Sequence, residues 1–435
     1  KLGYIKHLKE IWQGKIGYSS HDKDWKLCLP VLSMGVDFIE RHITNNKNDI
    51  GLDHSTSSTP NEFKEICYYS EELPMALQGN KNRTLNAGEL INKQNLGRSP
   101  YAKKSIKKGE FLSKSDFIWR SPQVGLTNEN INNFFKKPFI IDIKKDEAIC
   151  IHHFQNYKKD FLNSNWIDEY NISLPVRLHD KKSIEREIRK TSQELHLSFK
   201  EALSHDLLNE DNFFQDIQYS IHLPDYIDSN TILDPFSDNQ YINSKSNLII
   251  NNCIKLSKLL NKLTNKEIPI VGSFSTFYKS KFYSINQINN FCKENSDYGN
   301  YFIVPQLLPP IAWYFGGSIK LKLFNSKTDL EIMKDLNCKY CLDISHAFMC
   351  NYNEKDFLEE IIDTFNLVKH IHIAGASGID GEGEPISSMD TLQIKFLKKI
   401  LKLPHIKVIE VWQGHLNNFY GFNKALIDIE KLINK

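Results

Sequence analysis

A chain of 435 residues is long enough for two to four domains, each with an ample core. Hydrophobic residues make up 40% and charged residues 25%, the balance of a globular protein rather than of a disordered or collagenous one. Lys and Arg number 55 against 53 Asp and Glu. The net charge of +2 gives no electrostatic footprint for nucleic acid, and no apolar run reaches the ~18 residues of a membrane-spanning helix.

The chain opens on Lys1 rather than a Met, and its first barrel-like pattern stops before residue 95 where a barrel needs roughly 250 residues, so the front of a longer protein is expected to precede it. A first block, residues 1–92, alternates short strands with helices. Strands are predicted over Lys15–Tyr18 and Val36–Glu40, and helices over Leu29–Met34 and Asn61–Leu73. Ser58-Thr59-Pro60 marks the start of the last helix and Pro74 its end. This alternation predicts a parallel sheet or barrel.

Asn80–Gly97 is polar and reads as a linker. Residues 93–155 form a small β-rich module around RSPYAKKSIKKGEFLSKSDFIWRSP. From about Tyr157 a third block (156–435) holds eight strand candidates: Leu174–Leu178, Leu195–Phe199, Ile217–Leu223, Ile268–Phe274, Tyr301–Gln306, Tyr340–Ile344, Val368–Ala374 and Ile406–Trp412. Helices are predicted between several of them, among them Asn247–Leu263 and Glu354–Asn366. Eight strands in a block of this size predict a complete (β/α)8 barrel. The predicted class is therefore α/β: a partial (β/α)8 barrel, a β-rich module and a second, complete TIM barrel.

The eight cysteines are scattered, unlike a secreted disulfide scaffold, which suits a reducing, cytoplasmic setting. Cys338 and Cys341 have CxxC spacing but no second pair to complete a zinc site, so buried thiols are expected. The basic run Lys103–Lys108 is read as a solvated turn.

Three short runs in the first block gather chemistry: IGYSSH (Ile16–His21), FIERHIT (Phe38–Thr44) and GLDHSTSSTP (Gly51–Pro60). His21 and His42 each follow a predicted strand. Imidazoles at the C-terminal ends of neighbouring parallel strands can ligate a divalent metal, and each can equally be a structural hydrogen-bonder. His54 stands beside Asp53 in a loop that runs on to Ser57.

The order of these runs resembles the sialic acid (N-acetylneuraminate) synthase family, which shows G-Y-S-D-H, then a segment like I-E-K-H-F-T, then G-P-D-H followed by a Ser and a Pro. Ser99–Glu110 (SPYAKKSIKKGE) is similar to that family's antifreeze-like, or SAF, domain, with Trp119–Pro122 near its R-P-G segment. The resemblance implies a transferase that condenses phosphoenolpyruvate with an N-acylated amino sugar. It also implies a divalent metal, Mn or Mg, that polarises the aldehyde. It places His21 and His42 as metal ligands, and Asp53, His54 and Ser57 facing substrate. Arg120 would reach from the SAF domain into the site of the other subunit of a homodimer. Two departures stand out: the family's Asp before the first His is Ser20 here, and the Pro of G-P-D-H is Leu52.

The third block has its own polar strand ends: His222, Gln306, Asp343, His346, His372 and Glu410, with a Gly-rich acidic loop at Ser377–Glu384. Asp343, His346, His372 and Glu410 form a plausible divalent-metal set, with Gln306 and His222 touching substrate. The set resembles the xylose-isomerase-like sugar phosphate isomerase/epimerase superfamily. That resemblance implies metal-assisted proton transfer beside a carbonyl, with Asp343, His372 and Glu410 as catalytic residues. Gln306 stands where a first carboxylate is expected. Trp313, Tyr314 and Phe315 can stack on a sugar or fill a core. The leading expectation is a nonulosonate synthase fused to a sugar isomerase/epimerase-like barrel. The alternatives are a metal-dependent sugar isomerase with a remnant front block, and a non-catalytic carbohydrate-binding or assembly module.

Overall fold

Short strands bounded by helix caps build the first unit. The computed structural model describes residues 1–77, 85–156, 161, 164–188 and 191–434, the side chains of 185 and 187 apart. These divide into two units, Lys1–Arg83 and Thr84–Lys435. The first unit begins with a helix, Tyr4–Ile11. It continues with β1 (Gly17–Ser20), a helix at Cys28–Ser33, β2 (Phe38–Arg41) and a helix at Pro60–Ala76. β1 and β2 pair in parallel, from Gly17 opposite Phe38 to Ser20 opposite Arg41. A Cβ on Gly17 would lie 1.9 Å from the Phe38 ring, so the pairing requires glycine there. Both strands sit about two residues later than their apolar content suggests. The long helix opens on a capping box between Thr59 and Glu62 and runs through Pro74, which its last turn tolerates.

Arg41 ties this unit together. Its guanidinium donates to Ser58 Oγ (2.8 Å), Ser20 Oγ (2.6 Å) and the carbonyls of Asp22 (2.9 Å) and Thr56 (2.8 Å), and the residue is buried. Replacing Arg41 with methionine strands buried acceptors, so chemical denaturation should show a loss of about 3 kcal/mol. Arg41→Lys should recover only part, since an ammonium lacks the planar fork.

In the second unit a helix at Ala87–Leu96 starts on a capping box between Asn86 and Glu89. It occupies most of the stretch read as linker; residues 80–84 of that stretch lie outside the described residues, as does Tyr157. A small module follows. β3 (Ser99–Ala102) and β4 (Phe117–Arg120) pair antiparallel over a separate core that includes Phe117, Phe134, Phe139, Ile149 and Phe154. In the basic run, Lys104 pairs with Asp116 and Lys107 with Asp142.

The remainder is the complete barrel. β5 (Ile172–Val176), β6 (Ser192–His196), β7 (Tyr219–His222), β8 (Ile268–Gly272) and β9 (Tyr301–Pro305) pair in parallel in sequence order. A hairpin, β10 (Ile311–Tyr314) and β11 (Gly317–Lys320), interrupts the run before β12 (Tyr340–Asp343) and β13 (Val368–Ile373). A second hairpin, β14 (Gly375–Ser377) and β15 (Gly381–Glu384), precedes β16 (Lys407–Ile409). β12 pairs with β13, β13 with β16 and β16 with β5. A parallel bridge from Gln306 to Cys341 closes the ring between β9 and β12. Helices separate the eight strands, and the longest, Gln240–Thr264, buries Ile249, Ile250, Cys253, Leu256 and Leu260 along one stripe.

All eight strands were legible as apolar runs, with ends shifted by a few residues. The largest shift is in β6, predicted at Leu195–Phe199 and found at Ser192–His196. The predicted helix Glu354–Asn366 shortens to Phe357–Ile362, and Asn247–Leu263 lengthens to Gln240–Thr264. Cys338 and Cys341 are buried free thiols, each pushed up to about 12 by burial, so they are unreactive at neutral pH.

The Ala87–Leu96 helix joins module and barrel. Gly88 packs under Trp313, where a Cβ would lie 2.1 Å from the indole. Gln413 Nε2 donates to the Leu90 carbonyl (3.1 Å). At its other end the Gln94 carbonyl accepts from the Gln123 amide (2.7 Å), and the Leu96 carbonyl from Ser121 Oγ (3.0 Å).

Candidate functional site

In the first unit β1 and β2 end side by side and deliver His21 and His42 to the same end. The two rings lie edge to face with centroids 5.1 Å apart. His42 Nδ1 is 3.3 Å from Asp53 Oδ2. His54 Nδ1 is 2.8 Å from Thr44 Oγ1, which directs that ring to a loop hydroxyl. Ser57 Oγ donates to the Asp53 carbonyl (2.7 Å), so it shapes the loop that presents Asp53. Ser20, in place of the family's aspartate, accepts from Arg41 and donates to Asp22 Oδ2 (3.0 Å). The Tyr18 hydroxyl also donates to Asp22 (2.6 Å), and this hydrogen bond holds the Asp22 carboxyl below its ordinary range. A carboxylate thus stands one residue after His21 where sequence reading found one lost before it.

In the second unit Arg120 ends β4 and pairs with Asp146 Oδ1 at 2.7 Å, both half-exposed.

The barrel gathers its polar groups at the C-terminal ends of its strands, as expected of such a fold. Alternation along β6 turns Glu194 and His196 to one side and Leu195 to the other. Glu194 is fully buried. Its Oε1 lies 2.9 Å from His196 Nε2 and 3.0 Å from His372 Nε2. Its Oε2 lies 2.6 Å from His370 Nε2 and accepts from Ser220 Oγ (2.7 Å). The His372 Nε2 approach lacks hydrogen-bond alignment, which leaves that buried nitrogen without a partner. His372 Nδ1 lies 2.9 Å from Glu410 Oε2 and 3.7 Å from Asp343 Oδ2. His196 Nε2 is 3.2 Å from Glu410 Oε1.

Gln306 spans the centre. Its amide nitrogen donates to Asp343 Oδ2 (2.9 Å) and lies 3.2 Å from His372 Nδ1. Its oxygen contacts His222 Nε2 (3.0 Å) and accepts from Ser273 Oγ (3.0 Å). Three sets of ligand-type atoms come together within 4.8 Å among the described residues: His222, His372 and Glu410; Glu194, His196 and Glu410; and Glu194, His370 and His372. All three lie in the barrel. Imidazole nitrogens and carboxylate oxygens in such sets suit a divalent cation.

His346 is not in these groups. The helix that starts at Ile344 turns its Nε2 to Glu382 Oε2 (3.2 Å), while Nδ1 contacts the Leu307 carbonyl (2.8 Å). Its Nδ1 also lies 3.4 Å from Asp343 Oδ2, so the two predicted ligands are neighbours, and Asp343 too lies outside the three sets, one of which brings His222 to His372 and Glu410.

Electrostatics follow from crowding. Burial opposes charge on His372, but Cys341, Glu410 and Glu194 around it hold the imidazole well above its ordinary range. Burial would raise the carboxyls of Glu410 and Glu194, but the facing imidazoles, His372 first, hold both well below theirs. Burial pulls His346 down, and Asp343 and Glu382 outweigh it, leaving the imidazole at about 9. His196 is lowered by burial.

Above these groups opens a cavity of about 740 Å³, lined among others by His196, His222, Gln306, Asp343, Glu382 and Glu410. Trp313, Tyr314 and Trp412 contribute aromatic walls, and Ile91 of the Ala87–Leu96 helix reaches it as well. Phe315 is half-exposed and packs on Tyr226. The acidic glycine-rich loop forms β14 and β15. Gly383, at φ 69°, leaves room for Trp412, whose ring a Cβ would meet at 1.6 Å.

Sequence reading missed Glu194, His196 and His370, and reached Glu382 only as one carboxylate of the acidic loop Ser377–Glu384. For the first two the signal was present: E-L-H places two ligand-type residues two apart, hence on one face of a strand. For His370 the same signal lies in H-I-H.

Residues 1–82 match the NeuB family model. Curated relatives extend the likeness over the first third of the chain. One is N,N'-diacetyllegionaminic acid synthase of Campylobacter jejuni, 30% identical over 148 residues, 34% of this chain and 44% of that protein. Another is human N-acetylneuraminate-9-phosphate synthase, 29% identical over 145 residues, 33% of this chain and 40% of that protein. The chain thus spans less than half the length of these relatives. Among solved structures it is similar to a D-tagatose 3-epimerase-like protein (16% identity, 61% of this chain, 97% of that chain, TM-score 0.44). It is also similar to the IOLI protein solved with a zinc atom (12% identity, 61% of this chain, 98% of that chain, TM-score 0.44). No helix among the described residues is long and apolar enough to cross a membrane.

Proposed function

We propose that this chain is part of a nonulosonate synthase that condenses phosphoenolpyruvate with an N-acylated amino sugar, and that it carries a second barrel acting on a sugar with a divalent metal. The observation that carries the first half is the likeness of the first third to sialic-acid-type synthases, with His21, His42 and Asp53 at one end of a parallel strand pair. The second half rests on the barrel's donor set of His222, His372 and Glu410, flanked by Asp343.

In this reading His21 and His42 hold the synthase metal, Asp53 orients His42, and His54 and Ser57 shape the substrate loop. In the barrel His222, His372 and Glu410 hold a cation, and Asp343 adds a carboxylate. A bound divalent ion supplies Lewis acidity to a carbonyl oxygen. Gln306 fixes the rotamers of His222 and Asp343 through its amide. His346, charged at neutral pH, can donate the proton on Nε2 to a substrate oxygen. Trp313, Tyr314 and Trp412 give a sugar ring apolar faces and exclude water. The small module is proposed as an SAF-type domain in a homodimer, with Arg120 as its substrate-contacting residue.

The test is product formation by the native protein from phosphoenolpyruvate and a panel of N-acylated amino sugars, with Mn²⁺ or Mg²⁺ added; no nonulosonate from any of them rejects the synthase half. Arg120→Ala separates a substrate role from a surface ion pair. Its stability should change by less than ~1 kcal/mol. Product formation should fall ~10-fold or more, the worth of a charge-assisted hydrogen bond. Unchanged turnover would leave Arg120 with only its Asp146 contact.

The barrel acting as a sugar isomerase by itself is the second reading. It is favoured by a closed ring of eight strands with its own donor set and cavity.

A further inference from the structure

One of the fully buried charges of the barrel is not used by the proposed chemistry. Glu194 sits on β6 with no exposure, below the cavity and not among the residues that line it. An isolated carboxylate there would cost several kcal/mol. Instead each of its oxygens has two polar neighbours. Oε1 faces His196 Nε2 and His372 Nε2, and Oε2 faces His370 Nε2 and Ser220 Oγ, all within 3.0 Å. These four partners come from β6, β7 and β13. Glu194 belongs to two of the three convergent sets but not to the His222–His372–Glu410 set.

The contacts have a directional consequence. A histidine whose Nε2 faces an anion presents Nδ1 on its opposite side. For His372 that side holds Glu410, Asp343 and Gln306. His196, held to Glu194 through Nε2, also meets Glu410. Glu194 therefore stands behind the ring of His372 as seen from Glu410, outside the His222–His372–Glu410 set, while His196 brings one nitrogen, Nε2, to both carboxylates.

We infer that Glu194 is a positioning residue: it orients His372 and His196 so that His372 Nδ1 and Glu410 point together into the site, and the site's cation affinity depends on it. The inference rests on the reading that His222, His372 and Glu410 bind a divalent cation. Outer carboxylates behind ligating histidines commonly set metal affinity by 10–100-fold.

The test is titration of the full, metal-stripped protein with Mn²⁺ by calorimetry, in a His21→Ala/His42→Ala background that removes the other proposed metal site, alongside the visible spectrum of the Co²⁺-loaded protein. Glu194→Gln keeps the shape, loses the charge and turns one acceptor into a donor. It should weaken Mn²⁺ binding by ~10–100-fold and shift the Co²⁺ bands. Glu194→Asp, which keeps the charge, should recover part of both. Ser220→Ala touches Glu194 but none of the proposed ligands, and should weaken binding a few-fold in a protein that remains folded. That variant carries the test if Glu194→Gln does not fold. Wild-type protein that binds no Mn²⁺ in the barrel rejects the cation reading. Wild-type protein that binds it, with Glu194→Gln and Ser220→Ala binding equally well and unchanged Co²⁺ bands, overturns the role given to Glu194 and leaves the cation reading standing.

Discussion

Replacing His372 with alanine should lower the affinity of the barrel for Mn²⁺ by more than ~100-fold, beyond the range that loss of an outer partner produces. The imidazole sits where three donor systems meet. Its Nδ1 faces Glu410 and Asp343, its Nε2 faces Glu194, and it belongs to two of the three convergent sets. Removing it leaves the buried Glu194 and the part-buried Glu410 with fewer compensating charges, so the metal-free protein should also be less stable by about 3 kcal/mol. Calorimetric titration with Mn²⁺ measures the first effect and chemical denaturation in chelator the second. If His372→Ala binds Mn²⁺ as tightly as wild type, the donor set has been wrongly placed.

The second large effect is on stability against pH. In the folded barrel His346 titrates at about 9, against an ordinary value of 6.5. A raised histidine contributes its stabilisation in full below 6.5 and loses it as pH climbs towards 9. The difference corresponds to about 3 kcal/mol. The carboxyls of Glu194 and Glu410 are displaced in the opposite direction, so their stabilisation is present above about 4.5 and fades as pH falls further. Unfolding free energies in chelator should therefore form a plateau between the two limbs. His346→Gln should shrink the alkaline limb, leaving the part that the likewise raised His372 contributes, and leave the acid limb in place. An alkaline limb of undiminished size in that variant assigns the loss to another group.

Much of this architecture was legible from apolar runs, because strands of a parallel barrel are buried on both sides and read as continuous hydrophobic segments. YFIVP, YCLD and VKHIHI are such segments. What was hard to see was polarity placed inside them. SQELH reads as a strand only from its leucine onward if apolar content sets its start. The strand begins three residues earlier, and the charge of Glu194 within it is compensated by contacts across the sheet to Ser220 and His370 rather than by solvent. The Ala87–Leu96 helix escaped for the opposite reason. Its sequence, AGELINKQNL, carries few apolar residues, and its helical cue is a cap, Asn86 with Glu89, rather than a periodicity. His346 was placed by spacing alone. Asp-x-x-His on the first turn of a helix keeps the two residues close, but the ring of His346 turns to Glu382 on the β14–β15 hairpin, which the sequence does not announce as a partner.

The position of the Ala87–Leu96 helix bears on how the chain can be divided. Ile91 forms part of the cavity wall, Gly88 supports Trp313, and the Leu90 carbonyl steadies Gln413. All three come from the far side of the small module in sequence. A barrel excised at residue 156 would retain every strand and every histidine of its centre, yet open on a gap where that helix had stood. Domain boundaries drawn from connectivity and those drawn from enclosure differ here by about seventy residues. A fragment meant to keep the cavity wall whole has to begin before Asn86.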